Sequence, residues 1–238
     1  MNPTFKIVLF DLDDTLILFE DYWEDSLLET FRQHGCTKEL DPALLFEVFW
    51  EMNRQFVKLY HSRQISLRDF RNVRLIRALG TYGIEIDEET ADDFNALHRS
   101  LSKRFMKANP ELIELLTQLK QSYSLGIVTN GTCDWQLDKI EALGIRSLFP
   151  RETIVTSEEA GCEKPAMDIY LQALARFKAE PEHVLFVGDS WENDVEGPMR
   201  AGMQAVWFNR TGDPLPEGGT PYGVIRTLSE LRVLLELK

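Results

Sequence analysis

Three short, uninterrupted apolar runs constrain this chain most: Ile7-Val-Leu-Phe10, Leu125-Gly-Ile-Val128 and Val184-Leu-Phe-Val187. A strand with one wet face alternates apolar and polar residues, whereas a strand covered on both faces does not. Each run stops abruptly at small and polar residues: Asp11-Leu-Asp-Asp-Thr15, Thr129-Asn-Gly131 and Gly188-Asp-Ser190. Ile154-Val155 and Ala205–Phe208 read as weaker strands, with Ile225 as a last one. Beyond residue 110, helical spacing fills the gaps between strands. Leu112, Leu115, Leu116 and Leu119 fit one helix, Gln136–Leu143 a second ended by Gly144, and Ile169, Leu171, Leu174 and Phe177 a third beginning near Pro165. Strand–helix alternation of this kind predicts an α/β fold with a right-handed, doubly wound parallel sheet of Rossmann-like form.

The stretch from Ile17 to Asn109 breaks the alternation and shows no strand pattern. Leu45, Val48, Met52, Phe56 and Leu59 recur at helical spacing, as do Leu67, Phe70, Val73, Ile76 and Leu79, and then Phe94, Leu97, Leu101 and Phe105. These stripes are read as helix packing. The expected division is therefore a core of residues 1–16 and 110–238, carrying an inserted all-helical domain at 17–109 with Asn109-Pro110 as its return hinge. A length of 238 residues suits one core with one sizeable insertion, and such a chain buries roughly 70% of its unfolded surface without staples.

Charge narrows the partners. Lys and Arg number 26 against 39 Asp and Glu, a formal net charge of −13. That balance disfavours binding to a nucleic-acid backbone or an anionic membrane, but leaves room for a small anionic substrate held by local cations. Cys36, Cys133 and Cys162 form no Cys-x-x-Cys pair, and His34, His61, His98 and His183 are scattered, so no zinc site is expected. The first residues offer neither a signal peptide nor a membrane span, and the expected location is cytoplasmic. Asn130-Gly131-Thr132 and Asn209-Arg210-Thr211 match a glycosylation pattern that this setting would leave unused.

Ligands of open α/β sheets bind beyond the carboxyl ends of the strands, so all three polar clusters are expected to converge. They bring together Asp11, Asp13, Asp14, Asp189 and Asp194. Carboxylates so close cannot all ionise without a compensating cation, and their oxygens suit a hard ion such as Mg²⁺. Thr129, the Asn130 backbone N–H and Lys164 add donors and positive charge for an anion. A metal beside a phosphate cradle and a free carboxylate is equipment for phosphoryl transfer.

The order of Asp11-Leu-Asp13-Asp-Thr15, Thr129-Asn-Gly131, Lys164-Pro165 and Gly188-Asp189-Ser-Trp-Glu-Asn193-Asp194 resembles the haloacid dehalogenase-like (HAD) hydrolase superfamily over the whole chain. The helical insert resembles that family's C1 cap, which opens and closes over substrate. The resemblance implies Asp11 as the nucleophile that forms an aspartyl-phosphate and Asp13 as general acid/base. It implies Thr129, the Asn130 N–H, Gly131 and Lys164 as the phosphate cradle. Lys164 would neutralise Asp11 as well. The implied metal set is Asp11, Asp13 through its backbone carbonyl, and Asp189, with Asp194 binding directly or from one layer out. Asn193 would orient metal-bound water or Lys164. Pro198 stands where the family often has Ala and fits a first helical turn or a kink.

Plainer readings apply elsewhere. Asp14 reads as a turn or cap residue and Trp191 as packing; Tyr22, Trp23, Trp50 and Arg54 of the insert are candidate substrate readers, with core the plainer reading of the two tryptophans and solvent that of the arginine. The implied function is a Mg²⁺-dependent phosphatase acting on a small soluble phosphomonoester of the nucleotide or sugar-phosphate class. The alternatives are a phosphomutase, a haloacid dehalogenase-type hydrolase, or a non-catalytic binding protein on the same fold. Dehalogenation has no use for Asp13 or the Asp189 cluster, and a retired fold should have lost the nucleophile or a ligand first. Oligomeric state, monomer or homodimer, is left open.

Overall fold

The computed structural model describes residues 5–62 and 64–237, the side chain of His61 excepted. It divides into two compact units, one running to Phe19 and resuming at Lys107, the other Glu20–Met106.

The first unit is built on a six-stranded, all-parallel sheet. Its strands are β1 (Ile7–Phe10), β2 (Ser124–Thr129), β3 (Ile154–Thr156), β4 (Val184–Gly188), β5 (Gln204–Phe208) and β6 (Gly223–Ile225), in the order β3-β2-β1-β4-β5-β6. The chain therefore steps outward from β1 through β2 to β3, then returns to place β4 on the other side of β1. The carboxyl ends of β1 and β4 border the switch point, where such sheets bind ligands. Every residue of β1 and β4 is buried, as the uninterrupted apolar runs require. Side chains alternate faces along a strand. Ile7 and Leu9 pack with Ile169, Tyr170, Ala173 and Leu174, while Phe10 meets Phe149 edge-on at 6.5 Å.

In the second unit the described residues form four helices: α1 (Trp23–Gln33), α2 (Pro42–His61), α3 (Leu67–Gly80) and α4 (Glu88–Phe105). Their starts are written locally. Asp41 accepts from the Ala43 and Leu44 N–H groups with Pro42 in the first turn, Ser66 and Asp69 form a capping box, and Asp87 accepts from Thr90; each satisfies N–H groups that no helix can satisfy internally. On α3 the buried residues are Phe70, Asn72, Arg74, Leu75, Ala78 and Leu79. The apolar stripe through Val73 and Ile76 is thus half-buried, and a charged residue takes a place inside.

The first unit adds α5 (Pro110–Ser122), α6 (Cys133–Ala142), the single turn α7 (Ser157–Ala160), and α8 (Met167–Phe177). Asn109 and Pro110 cap and open α5. After β4 comes a π-helical turn, Trp191–Glu196, running into the one-turn α9 (Gly197–Arg200), with Pro198 in its first turn. No described helix is long and apolar enough to cross a membrane.

Candidate active site

Asp11 is the first residue past β1, and its N–H donates to the Val187 carbonyl of β4 at 2.9 Å. The residue is 7% exposed, and its carboxylate accepts from Lys164 Nζ at 2.6 Å. The same ammonium donates to Asp194 Oδ1 at 2.6 Å, and the Ser190 N–H donates to Asp194 Oδ2 at 3.0 Å. Asp194 reaches this place because the π-helical turn follows β4 directly and Gly188 has no side chain. A Cβ at Gly188 would fall on the Asp194 carboxyl. Asp189 lies beside them and accepts from Thr15 Oγ1 at 3.2 Å. Oxygens of Asp11, Asp189 and Asp194 all lie within 4.8 Å of one another.

The charge balance of this cluster is uneven. Burial pushes the Asp11 and Asp194 carboxyls above their ordinary range, although both share Lys164. Asp189 is raised to about 6, chiefly by burial and then by the charges of Asp11 and Asp14. Burial opposes the Lys164 charge, but Asp11 and Asp194 outweigh it and hold the amine above its usual value. Three carboxylates with one ammonium between them lack positive charge, and the oxygen-only donor set fits a divalent hard cation.

Asp13, also expected at the metal, does not join this cluster with its side chain. Its carboxylate accepts from Lys139 Nζ at 2.5 and 2.7 Å and from Gln136 Nε2 at 2.9 Å. The side-chain difference arises within one tight turn. Leu16 and Ile17 both donate to the Leu12 carbonyl, and Asp14 adopts a left-handed φ of 55°. Asp14 Oδ1 accepts from the Phe19 N–H at 2.9 Å, so Asp14 is a turn residue. An Asp tolerates this region better than most side chains.

Of the residues expected to form the cradle, Thr129 ends β2 and Asn130 and Gly131 follow it, while Lys164 lies between α7 and α8. Thr129 is fully buried, with Oγ1 2.6 Å from Gln136 Nε2. Asn130 is tied to the Lys164 loop twice, donating to the Lys164 carbonyl at 3.2 Å and accepting from the Lys164 N–H at 2.8 Å. Gly131 has a φ of 138°, open to glycine and strained for other residues, and its N–H donates to Ser157 Oγ at 2.9 Å. Asn193 takes part through its backbone: its carbonyl accepts from Tyr170 OH at 2.5 Å. Trp191 packs edge-on against Trp207 at 5.0 Å.

Gln136, Lys139 and Ser157 were not singled out by the sequence. The first two sit three positions apart on α6, and so share a face. That spacing directly after a strand-ending Thr129-Asn-Gly131 was the available signal.

Comparison with known proteins agrees with this architecture. The profile of the haloacid dehalogenase-like hydrolase family matches residues 8–208. Glyceraldehyde 3-phosphate phosphatase of Methanopyrus kandleri is 30% identical over 86% of this chain and 84% of its own. N-acylneuraminate-9-phosphatase of Rattus norvegicus is 28% identical over 97% of this chain and 94% of its own. Among solved structures, the magnesium-bound HAD-hydrolase YfnB of Bacillus subtilis superposes with a TM-score of 0.81 at 24% identity, covering 98% of this chain and 99% of that one.

Proposed function

The chain belongs to the haloacid dehalogenase-like hydrolases, and from that membership and the geometry of its aspartates we propose that it is a Mg²⁺-dependent phosphatase. Its substrate would be a small soluble phosphomonoester, of the nucleotide or sugar-phosphate class. The observation that carries this reading is Lys164 shared between Asp11 and Asp194, with Asp189 alongside, at the switch point of the sheet.

Asp11 and Asp189 would hold the ion, joined by the Asp13 backbone carbonyl. Asp194, whose oxygens are taken by Lys164 and the Ser190 N–H, would act one layer out. When bound, Mg²⁺ supplies charge that polarises the phosphoryl group and permits the carboxylates to ionise together. Asp11 Oδ attacks phosphorus in line, the P–O bond to the leaving group breaks, and Asp13 protonates the departing oxygen. Asp13 then takes a proton from water as that water opens the aspartyl-phosphate, returning Asp11 and releasing phosphate. Lys164 stabilises the charge on the transferring group, while Thr129, the Asn130 N–H and Gly131 position it. Residues 17–109 are assigned the family's cap role. The presence of Asp13 and Asp189 favours this chemistry over carbon–halogen cleavage, which needs neither a proton donor nor a metal.

A phosphatase screen with nucleotides, sugar phosphates and phosphoglycolate, run with Mg²⁺ and with excess chelator, tests the reading. Phosphate release confined to the Mg²⁺ arm is expected. Full activity in chelator would remove the metal assignment, and no release from any ester would remove the phosphatase.

A further inference from the structure

A guanidinium presents five N–H donors and keeps its charge in proteins, so burying one is costly unless an anion meets it. Arg74 of α3 is only 6% exposed. Burial, with the nearby Arg71 charge, pushes its pKa down to about 9, and among the described residues no acidic group acts against that fall. Nη1 donates to Asn53 Oδ1 at 2.5 Å, but the buried Nε has no acceptor among the described residues. The rings of Phe70, Phe49 and Trp23 lie 4.8, 4.9 and 5.9 Å from the guanidinium carbon. Aromatic rings offset part of the charge, yet they offer no in-plane oxygen to the Nε–H. His98 is engaged elsewhere, with Nε2 3.1 Å from Ser26 Oγ, and it is pushed down to about 3, by burial first and then by Arg74 and Arg71, so it is neutral and brings no counter-charge.

We propose that Arg74, with Asn53 and the rings of Trp23, Phe49 and Phe70, forms an anion-binding site inside the helical unit that takes the carboxylate of a small monocarboxylic acid. The free Nε–H belongs to the edge with which arginine grips a planar carboxylate through two parallel bonds. A phosphate dianion would seek more donors than these ring walls offer. The rings suit an acid with an apolar or aromatic body. This site is separate from the phosphatase reading and stands or falls without it.

Thermal melting of the full chain in excess chelator, titrated with benzoate or acetate against matched chloride and inorganic phosphate, provides the test. Benzoate should raise the melting temperature with the logarithm of its concentration above its Kd, by about 4 °C at ten times its Kd, in the natural protein and in Asp11→Asn. The rise should vanish in Arg74→Met and shrink in Arg74→Lys, which keeps the charge but loses the fork. Trp23 and Trp50, with ring centroids 5.1 Å apart, give a second readout that needs no change at Arg74: replacing both by Phe should abolish the benzoate-induced change in tryptophan emission. No rise beyond matched chloride in the natural protein, a rise retained in Arg74→Met, or an emission change retained when Trp23 and Trp50 are both replaced by Phe would each overturn the site. A rise lost in Asp11→Asn would place the benzoate at the aspartate cluster instead. Stabilisation by phosphate that depends on Arg74 would overturn the carboxylate assignment.

Discussion

Asp11 and Asp13 stand two positions apart and meet opposite surroundings. Asp11 is buried against Lys164, while the Asp13 side chain is 39% exposed and faces Lys139. In the proposed mechanism the first is the nucleophile and the second the proton carrier, and the two roles separate experimentally. Asp11→Asn should form no phosphoenzyme at all. Asp13→Asn keeps the nucleophile, and p-nitrophenolate leaves with little help, so the first half-reaction should survive with that ester. Hydrolysis of the acyl phosphate then lacks its base and should slow by about 10²–10⁴-fold. Rapidly quenched Asp13→Asn protein should therefore carry one phosphate on Asp11 by mass spectrometry. Phosphate on another residue, or on the Asp11 variant, would overturn these roles.

Single elements set the cluster's spacing, and β4 does so through an absence. Because a Cβ at Gly188 would overlap the Asp194 carboxyl, Gly188→Ala should push Asp194 off Lys164 and the Ser190 N–H. Overpacking of this kind costs about 1–3 kcal/mol, so the melting temperature and kcat should fall together. A variant with normal melting and normal kcat would show that the approach is not needed. The same element illustrates what a sequence makes legible. Strands buried on both faces announce themselves as continuous apolar runs, and β1, β2 and β4 lie where those runs stand. Helix α1 is quiet in the sequence because two of its fully buried residues, Ser26 and Thr30, are polar and interrupt the apolar stripe. Their hydroxyls are satisfied by the Trp23 and Ser26 carbonyls of the helix itself. Gln136 and Lys139 were hidden for the opposite reason: a polar pair on a helix reads as solvated surface until a distant carboxylate is brought to it. Arg74 was hidden in the same way, by the expectation that arginine faces water.

At the scale of the whole molecule, an acidic chain with a formal charge of −13 has gathered three carboxyls around one ammonium. That arrangement ties folding stability to pH and to a bound cation. In the metal-free protein Asp189 is raised from an ordinary 3.8 to about 6, and Asp11 and Asp194 are raised as well. A raised carboxyl favours the folded state while it is protonated. Its contribution is complete below the unfolded value near 3.8 and is lost as pH climbs through about 6, where the buried group must ionise. A divalent cation binds only the ionised form, so its stabilisation should grow over the same interval. The difference in melting temperature between saturating Mg²⁺ and excess chelator should thus be near zero at about pH 4.5 and largest above about pH 7. Taking that difference at each pH cancels titrations shared by both samples. Asp189→Asn should flatten it, because the variant has no carboxylate to ionise at the position and one ligand charge fewer. A Mg²⁺ increment that is the same at acid and neutral pH, or that survives Asp189→Asn undiminished, would place the ion somewhere other than this cluster.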